Sequence, residues 1–218
     1  MTTQNSAGPA PRRRQDRRRE ATRRRLIDAA RTLMAQRGVE GVGITDITEA
    51  ADLGAGTFYN YFSSRDEIVT HIIRDSIDTV GDALDRMTAD MDDPAEVYAS
   101  SLRHLVQQAT SLPLWGWFMV RLGIAHPQLQ EVLGPRCRRD LRRGAESGRF
   151  TVVDLDLAVA STFGSLLSTI HLAVSQNRTD DLDVAFAATM LSMVGLPLAE
   201  AHEVATRPLP PLPMESMT

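Results

Sequence analysis

Apolar residues three and four positions apart recur along most of this chain, and this spacing is what most limits its fold. Leu26, Ala30 and Leu33 form one such row. An α-helix brings residues at this spacing onto one face, whereas a half-buried β-strand needs alternating apolar and polar residues, which are rare here. The pattern predicts an all-α protein of about nine helices, with no internal repeat of roughly 20 to 50 residues.

Capping and turn residues predict where the helices begin and end. The first helix is expected from about Asp16 to Arg37, and a second, short helix should follow Gly43. Asp52 tolerates the left-handed conformation, so a tight turn is expected from Asp52 to Gly54, followed by a helical rod over 55–62. A fourth helix should begin at Ser64, which opens a capping box. Later helices are expected near 95–111, 113–125, 127–147, 154–177 and 180–195.

The composition is that of an ordinary globular protein, with 43% hydrophobic and 24% charged residues. The single cysteine, Cys137, excludes an internal disulfide and a cysteine-rich metal cluster. No basic and then apolar leader opens the sequence, so we expect a cytoplasmic protein.

The basic residues are concentrated near the start of the chain. Residues 1–70 carry 12 arginines against 9 acidic residues, although the net charge of the whole chain is −4. Nine of these arginines lie between Arg12 and Arg25, and the chain has no lysine. A guanidinium can bind phosphate with two parallel hydrogen bonds, so the cluster points to a polyanionic partner. The alternative is a solvated arm that only aids solubility.

Two short helices joined by a tight turn match the order of a helix-turn-helix, in which the second helix enters the major groove of DNA. The segment Gly56-Thr57-Phe58-Tyr59-Asn60-Tyr61-Phe62 makes this interpretation more specific. Its two phenylalanines are four residues apart and share one helical face, while hydrogen-bonding side chains occupy the rest. The alternative is a core helix, but a buried helix would not place two tyrosines and an asparagine consecutively.

This segment, with Arg65-Asp66-Glu67-Ile68 after it, resembles the TetR (tetracycline-repressor) family of bacterial transcriptional regulators over roughly residues 20–68. The resemblance implies a three-helix DNA-binding domain followed by a helical domain for ligand binding and dimerisation. The positions that the resemblance places on DNA are Thr45, Ala55, Gly56, Thr57, Tyr59, Asn60, Tyr61 and Arg65. Tyr59 and Arg65 look like phosphate contacts, and Thr57 and Asn60 like base contacts. Gly43, Asp52 and Gly54 depart from the residues that the family often has, and Gly43 removes one expected phosphate contact.

Two stretches of the second half, 157–174 and 184–199, contain no charged residue. A membrane hairpin is one interpretation, but serines, threonines, His171 and Gly164 interrupt the first stretch. The preferred interpretation is a pair of helices buried on one side by their own domain and on the other by a second subunit. The resemblance implies the same two-fold interface.

Candidate ligand-binding residues come from the segment that holds both tryptophans and from a later helix. They are Trp115, Trp117, Phe118, Arg121, Phe163 and His171. Trp117 and Arg121 are four residues apart, so an aromatic wall and a cation would flank a polar ligand. Ordinary core packing is the alternative for each of these residues.

Together these patterns predict a basic arm over 1–16, a DNA-binding domain over 17–67, a ligand-binding and dimerisation domain over 68–200, and a Pro-rich tail over 201–218. The expected function is that of a homodimeric repressor, which binds a palindromic operator and is released by a small molecule. An architectural DNA-binding protein without an effector is the alternative. No catalytic residue, cofactor or metal is expected. Arg136, Arg138 and Arg139 beside Cys137 would lower the pKa of its thiol, so a redox sensor is one interpretation, but a structural cysteine on the solvent side of its helix is the preferred one.

Overall fold

The computed structural model describes residues 11–111, 128–176, 178 and 180–213, and within them it has helices and no strands. This confirms the predicted all-α class. The nine helices of these residues are α1 (Pro11–Arg37), α2 (Ile44–Ala50), α3 (Ala55–Phe58), α4 (Arg65–Thr88), α5 (Pro94–Ser111), α6 (Gln128–Glu146), α7 (Leu155–Gln176), α8 (Leu182–Met193) and α9 (Leu198–Ala205). The helix predicted over 113–125 lies outside the described residues.

The chain divides into two compact units between Ile73 and Arg74, inside α4. The sequence places the boundary a few residues earlier, at 67. The division falls later because Ile68 and Ile72, on one face of α4, are buried in the core of the first unit. The first turns of α4 therefore belong to the first unit.

The core of the first unit forms around residues contributed by α1 to α4. Leu26 of α1, Ile47 of α2, Phe58 of α3 and Phe62 are fully buried in it. Asp52 has a φ of 51°, the left-handed conformation predicted for the turn between α2 and α3. The local pattern of apolar and turn residues therefore accounts for this unit.

Helix α3 is shorter than the predicted rod over 55–62, because it ends at Phe58. Turns follow it, and the amides of Tyr61 and Phe62 both donate to the carbonyl of Phe58, at 2.9 and 3.0 Å. These bonds still bring Phe62 beneath Phe58, with their ring centroids 5.7 Å apart. The polar residues between them are therefore carried by a turn rather than by a regular helix.

The predicted arm over 1–16 is partly helical, because α1 begins at Pro11 and not near Asp16. Proline suits the first turn of a helix, where its missing N–H needs no partner. Arginine is a good helix former, so the basic segment after it extends the helix.

In the second unit, α5 packs against α6, α7, α8 and α9. Its apolar and small residues, including Val97, Leu102 and Val106, are buried. The ring of Phe150 lies against Gly144 of α6, where a side chain would overlap it. The described part of this unit is thus built around α5.

Helix α9 occupies part of the segment predicted as a tail over 201–218. Ala201, Val204 and Ala205 are buried, at the i, i+3 and i+4 spacing of a helical face. After this helix, His104 Nε2 of α5 donates to the carbonyl of Pro210 at 2.8 Å, and Arg86 Nη2 of α4 donates to the carbonyl of Pro213 at 3.3 Å. Burial lowers the pKa of His104, against the effect of its hydrogen bond to Pro210. Residues up to 213 therefore belong to the packed unit.

Helix α7 is long and apolar enough, by length and composition alone, to cross a membrane, with a mean hydropathy of 1.6. Only 33% of its most apolar window is buried within the structure. Leu157 is 66% exposed, and Met193 at the end of α8 is exposed as well. The described part of their unit therefore leaves apolar surface of these two helices uncovered.

Candidate nucleic-acid interface and ligand cavity

The residues predicted to contact DNA lie on the surface of the first unit. Thr45, Ala55, Gly56, Tyr59 and Asn60 are exposed, and Tyr59 exposes 61% of its surface. Thr57 and Tyr61 are half-buried. Phe58 and Phe62 hold this polar surface from behind, as the sequence predicts.

Arg65 is predicted as a phosphate contact, and the structure also gives it a structural role. Its Nε donates to the carbonyl of Val42 at 2.7 Å, and its Nη2 donates to the carbonyl of Val39. Both carbonyls belong to the loop that leads into α2. The guanidinium therefore fixes the start of α2, and with it the position of Thr45.

Arg25 of α1 has an equivalent role at the next turn, which the sequence analysis did not identify. Its Nη2 donates to the carbonyls of Ala51 and Asp52, at 2.5 and 3.3 Å. These carbonyls sit in the tight turn that joins α2 to α3. The turn conformation is thus held from α1 as well as by its own sequence.

The N-terminal part of α1 and the turn after α3 form an open groove. It is lined by Gln15, Arg18, Arg19, Thr22, Asn60 and Tyr61. The Arg19 guanidinium carbon lies 6.0 Å from the centre of the Tyr61 ring, within the range of a cation–π contact. The basic helix and the predicted recognition segment therefore share one surface.

A cavity of about 50 Å³ lies inside the second unit. Its walls are Leu84 and Asp85 of α4, Tyr98, Ser101, Leu102 and Leu105 of α5, Leu133, Arg136, Cys137 and Asp140 of α6, and Thr162 and Phe163 of α7. Among the predicted ligand residues, Phe163 lines it. His171 does not line the cavity and is exposed. It follows the buried Ile170 in α7, and successive residues of an α-helix point about 100° apart. Trp115, Trp117, Phe118 and Arg121 lie outside the described residues.

A chain of hydrogen bonds closes one side of this cavity. The Thr162 hydroxyl donates to the carbonyl of Ala158 at 2.7 Å, so its oxygen accepts the proton of the Tyr98 hydroxyl, 2.7 Å away. Burial raises the pKa of Tyr98, so its hydroxyl stays protonated over the working pH range. The Tyr98 oxygen therefore keeps lone pairs that can accept a hydrogen bond from a ligand.

Cys137 is half-buried and lines the cavity beside Thr162, so it faces the interior of the unit rather than only the solvent side predicted for it. Burial raises the pKa of its thiol to about 12. The neighbouring guanidiniums do not reverse this, because Arg136, Arg138 and Arg139 are each paired with aspartates. The premise of a redox-sensing thiolate, a lowered pKa, is therefore wrong for this residue.

Charged groups form the opposite side of the cavity. Burial raises the pKa of Asp140, although Arg139 pairs with it. Burial would also raise the pKa of Asp85, but hydrogen bonds from Arg139 and Arg136 outweigh it and hold that pKa below its usual value. The lining of the cavity thus includes two ion-paired aspartates among mostly apolar side chains.

Arg136 joins this wall to α4. Its guanidinium lies 2.6 to 3.0 Å from carboxylate oxygens of Asp78, Asp82 and Asp85. It fits against the helix because residue 81 is glycine, where a Cβ would come within 2.8 Å of the guanidinium carbon. Three aspartates on one face of a helix, with a glycine among them, indicate a site for an arginine partner. This cluster was not predicted from the sequence.

Both parts of the chain match models of known families. Residues 26–72 match the bacterial regulatory proteins of the TetR family, and residues 93–207 match the tetracyclin repressor-like C-terminal domain. The chain belongs to the TetR family. It is therefore a DNA-binding transcriptional regulator of the helix-turn-helix type.

Individual relatives agree with this family. The solved structure of RolR in complex with the ligand resorcinol is 54% identical, covers 90% of this chain and 99% of its own, and superposes with a TM-score of 0.80. The uncharacterized transcriptional regulator Rv1255c of Mycobacterium tuberculosis is 31% identical over 103 residues, which are 47% of this chain and 51% of that protein. The transcriptional repressor KstR2 of Rhodococcus jostii is 38% identical over 56 residues, 26% of this chain and 28% of its own. The matches to these two curated relatives thus span about half and about a quarter of their lengths.

Proposed function

We propose that this protein is a homodimeric repressor of a near-palindromic operator, which a small hydroxylated aromatic compound releases from DNA. The observation that carries the proposal is the cavity of the second unit, in which carboxylates and a tyrosine oxygen face apolar walls. The 54% identity to RolR, whose structure holds resorcinol, supports the same ligand class. The protein would act on the nucleoid in the bacterial cytoplasm.

The exposed surface around α3 supports the DNA-binding part. Thr57 and Asn60 offer a hydroxyl and an amide to base edges, while Tyr59 offers a hydroxyl to a phosphate. Gly56 has open space around its Cα, so DNA can approach the backbone there. We assign Arg65 to the support of α2 and to phosphate contact together.

The uncovered apolar surface of α7 and α8 supports a dimer. A soluble protein rarely leaves such a helical face exposed, so a second copy of these helices is the natural cover. A two-fold axis would present two α3 helices to successive turns of the major groove, about 34 to 36 Å apart. A near-palindromic operator follows from that symmetry.

The donor and acceptor pattern of the cavity selects the ligand class. The Asp140 and Asp85 carboxylates and the Tyr98 oxygen can accept hydrogen bonds, while the Arg136 donors are already engaged by Asp85 and Asp82, so the lining favours a ligand that donates, as phenolic hydroxyls do. The leucine and phenylalanine walls suit an aromatic ring. We keep Trp115, Trp117, Phe118 and Arg121 as proposed contributors.

The small size of the cavity couples ligand binding to a change of conformation. Its volume of about 50 Å³ is well below the about 150 Å³ of a cavity known to hold benzene. A ring-sized ligand must therefore select a conformation in which the cavity is larger. Asp85 of α4 and Arg136 of α6 line the cavity and bind each other. Enlargement of the cavity would therefore disturb α4, which is continuous from Arg65 to Thr88. A tenfold loss of DNA affinity needs a coupling free energy of only about 1.4 kcal/mol.

Selection of duplexes from a random pool, followed by titration with small aromatics, tests the proposal. We expect a near-palindromic duplex to bind, and resorcinol to release it where benzene at equal concentration does not. Resistance of the complex to resorcinol, phenol and related diols would favour the architectural alternative. Failure of any duplex to be enriched would overturn the DNA-binding part.

A further inference from the structure

The arginines of the two units differ in how they are neutralised. Those of the second unit are mostly ion-paired, as Arg103 is with Asp183 and Arg149 with Asp93, each at 2.9 Å. On α1, no carboxylate of the described residues pairs with Arg17, Arg18, Arg19 or Arg24. These four arginines of α1 therefore carry positive charge that no ion pair within the described residues neutralises.

Two of these arginines are held beside the predicted recognition segment. Residues 15, 18, 19 and 22 occupy one face of α1, and on this face Arg18 and Arg19 line the groove with Asn60 and Tyr61. The groove has a volume of about 460 Å³, enough to admit a phosphodiester group. The Tyr61 ring, 6.0 Å from the Arg19 guanidinium carbon, holds that side chain at the groove.

Helix α1 begins well before the residues that it packs into the core of the first unit. Residues 15–21 are all exposed, and Leu26 is the first buried residue among the described side chains of α1. At 1.5 Å per residue, this exposed stretch is about 10 Å long. That length corresponds to about three phosphates along one strand of B-DNA, at about 3.4 Å each.

We propose that Arg18, Arg19 and Tyr61 form a second phosphate-binding site in this groove, which holds the DNA backbone flanking the bases read by Thr57 and Asn60. The inference rests on the proposed DNA binding and extends its footprint outwards. A guanidinium matches a phosphate with two parallel hydrogen bonds, and Asn60, which we assign to base edges, lines the same groove. The site recognises the charge and the spacing of the phosphates, not the base sequence.

The test compares two double variants that lose the same charge. R18Q/R19Q removes the groove arginines, whereas R17Q/R24Q removes two from the opposite face of α1, about 180° away. Binding to the selected operator is measured by fluorescence anisotropy over a range of salt concentrations. Circular dichroism checks that both variants keep the helix content of the wild type.

Each lost phosphate contact lowers the slope of log K against log salt by about 0.9. We expect R18Q/R19Q to lower the slope by about 3.6 for a dimer, which loses four contacts, and R17Q/R24Q to lower it by less than about 1. On a duplex trimmed to the operator core, the R18Q/R19Q variant should match the wild type.

Equal losses in the two variants would mean diffuse charge attraction and would overturn the site. An unchanged slope in R18Q/R19Q would overturn it as well. Both outcomes presuppose that the wild type binds the operator, so they differ from a failure of the proposed function, in which the wild type binds no duplex selectively.

Discussion

Tyr98→Phe removes one oxygen from the cavity and leaves the ring in place. In the wild type the Tyr98 hydroxyl donates to Thr162 at 2.7 Å, and the Tyr98 residue is 3% exposed. A buried hydrogen bond of this kind contributes about 1 kcal/mol to the free energy of unfolding. For a chain of this length, a loss of that size lowers the melting temperature by about 2 to 4 °C.

The larger effect is expected on the ligand. Losing an acceptor for one phenolic hydroxyl costs about 1.4 kcal/mol of binding, a tenfold rise in the Kd for resorcinol. Because burial keeps the Tyr98 hydroxyl protonated, this difference should not change between pH 6 and pH 9. The apparent affinity of the variant for operator DNA should stay at the wild-type value in the absence of ligand.

Differential scanning fluorimetry with increasing resorcinol measures both quantities in one experiment. Tyr59→Phe is the matched control, because it removes the same atom from a side chain that is 61% exposed in the first unit. We expect that control to keep the ligand shift and to weaken DNA binding. If Tyr98→Phe keeps the wild-type midpoint of the resorcinol titration, the assignment of the ligand to this cavity is wrong.

Three further outcomes follow from single contacts. Arg25→Gln removes the bonds to the turn between α2 and α3, so we expect about 1 kcal/mol lower stability in urea unfolding and weaker operator binding in gel shifts; unchanged DNA affinity would contradict this role. Gly144→Ala forces the Phe150 ring to move and should destabilise by about 1 to 3 kcal/mol in calorimetry, whereas Gly134→Ala, whose new Cβ would meet its nearest neighbour, Gln130, at an ordinary 3.6 Å, should not. Burial raises the pKa of the Cys137 thiol to about 12, so the thiolate forms only as the pH rises towards that value. At pH 8, a disulfide reagent should therefore label Cys137 far more slowly in the native protein than in urea. Equal labelling rates would refute its burial.

Local patterns were enough to predict the first unit. The left-handed turn at Asp52 and the buried pair Phe58 and Phe62 depend on residue type and on spacing within one or two helical turns. The anchoring by Arg25 and Arg65 was not predictable in this way. Each guanidinium binds backbone carbonyls 23 to 27 residues away, and any carbonyl offers the same acceptor in the sequence.

The ligand cavity was less predictable for the same reason. Tyr98 and Thr162 are 64 residues apart, and the aspartates that pair with Arg136 precede it by 51 or more residues. Helical periodicity shows that these residues sit near an apolar face, but it does not show which helices meet. The sequence pattern therefore favours the two tryptophans and their neighbours, and of the predicted ligand residues that the structure describes, only Phe163 lines the cavity.

The pairing of Arg136 with three carboxylates of α4 has a consequence for how such a regulator adapts. Asp85 faces the cavity, whereas neither Asp78 nor Asp82 lines it. Under the proposed function, the ligand concentration at which a promoter is switched on depends on how firmly these outer aspartates retain the guanidinium. Selection or design can therefore adjust that threshold at positions that the ligand never touches, while the residues that set its chemical specificity remain unchanged.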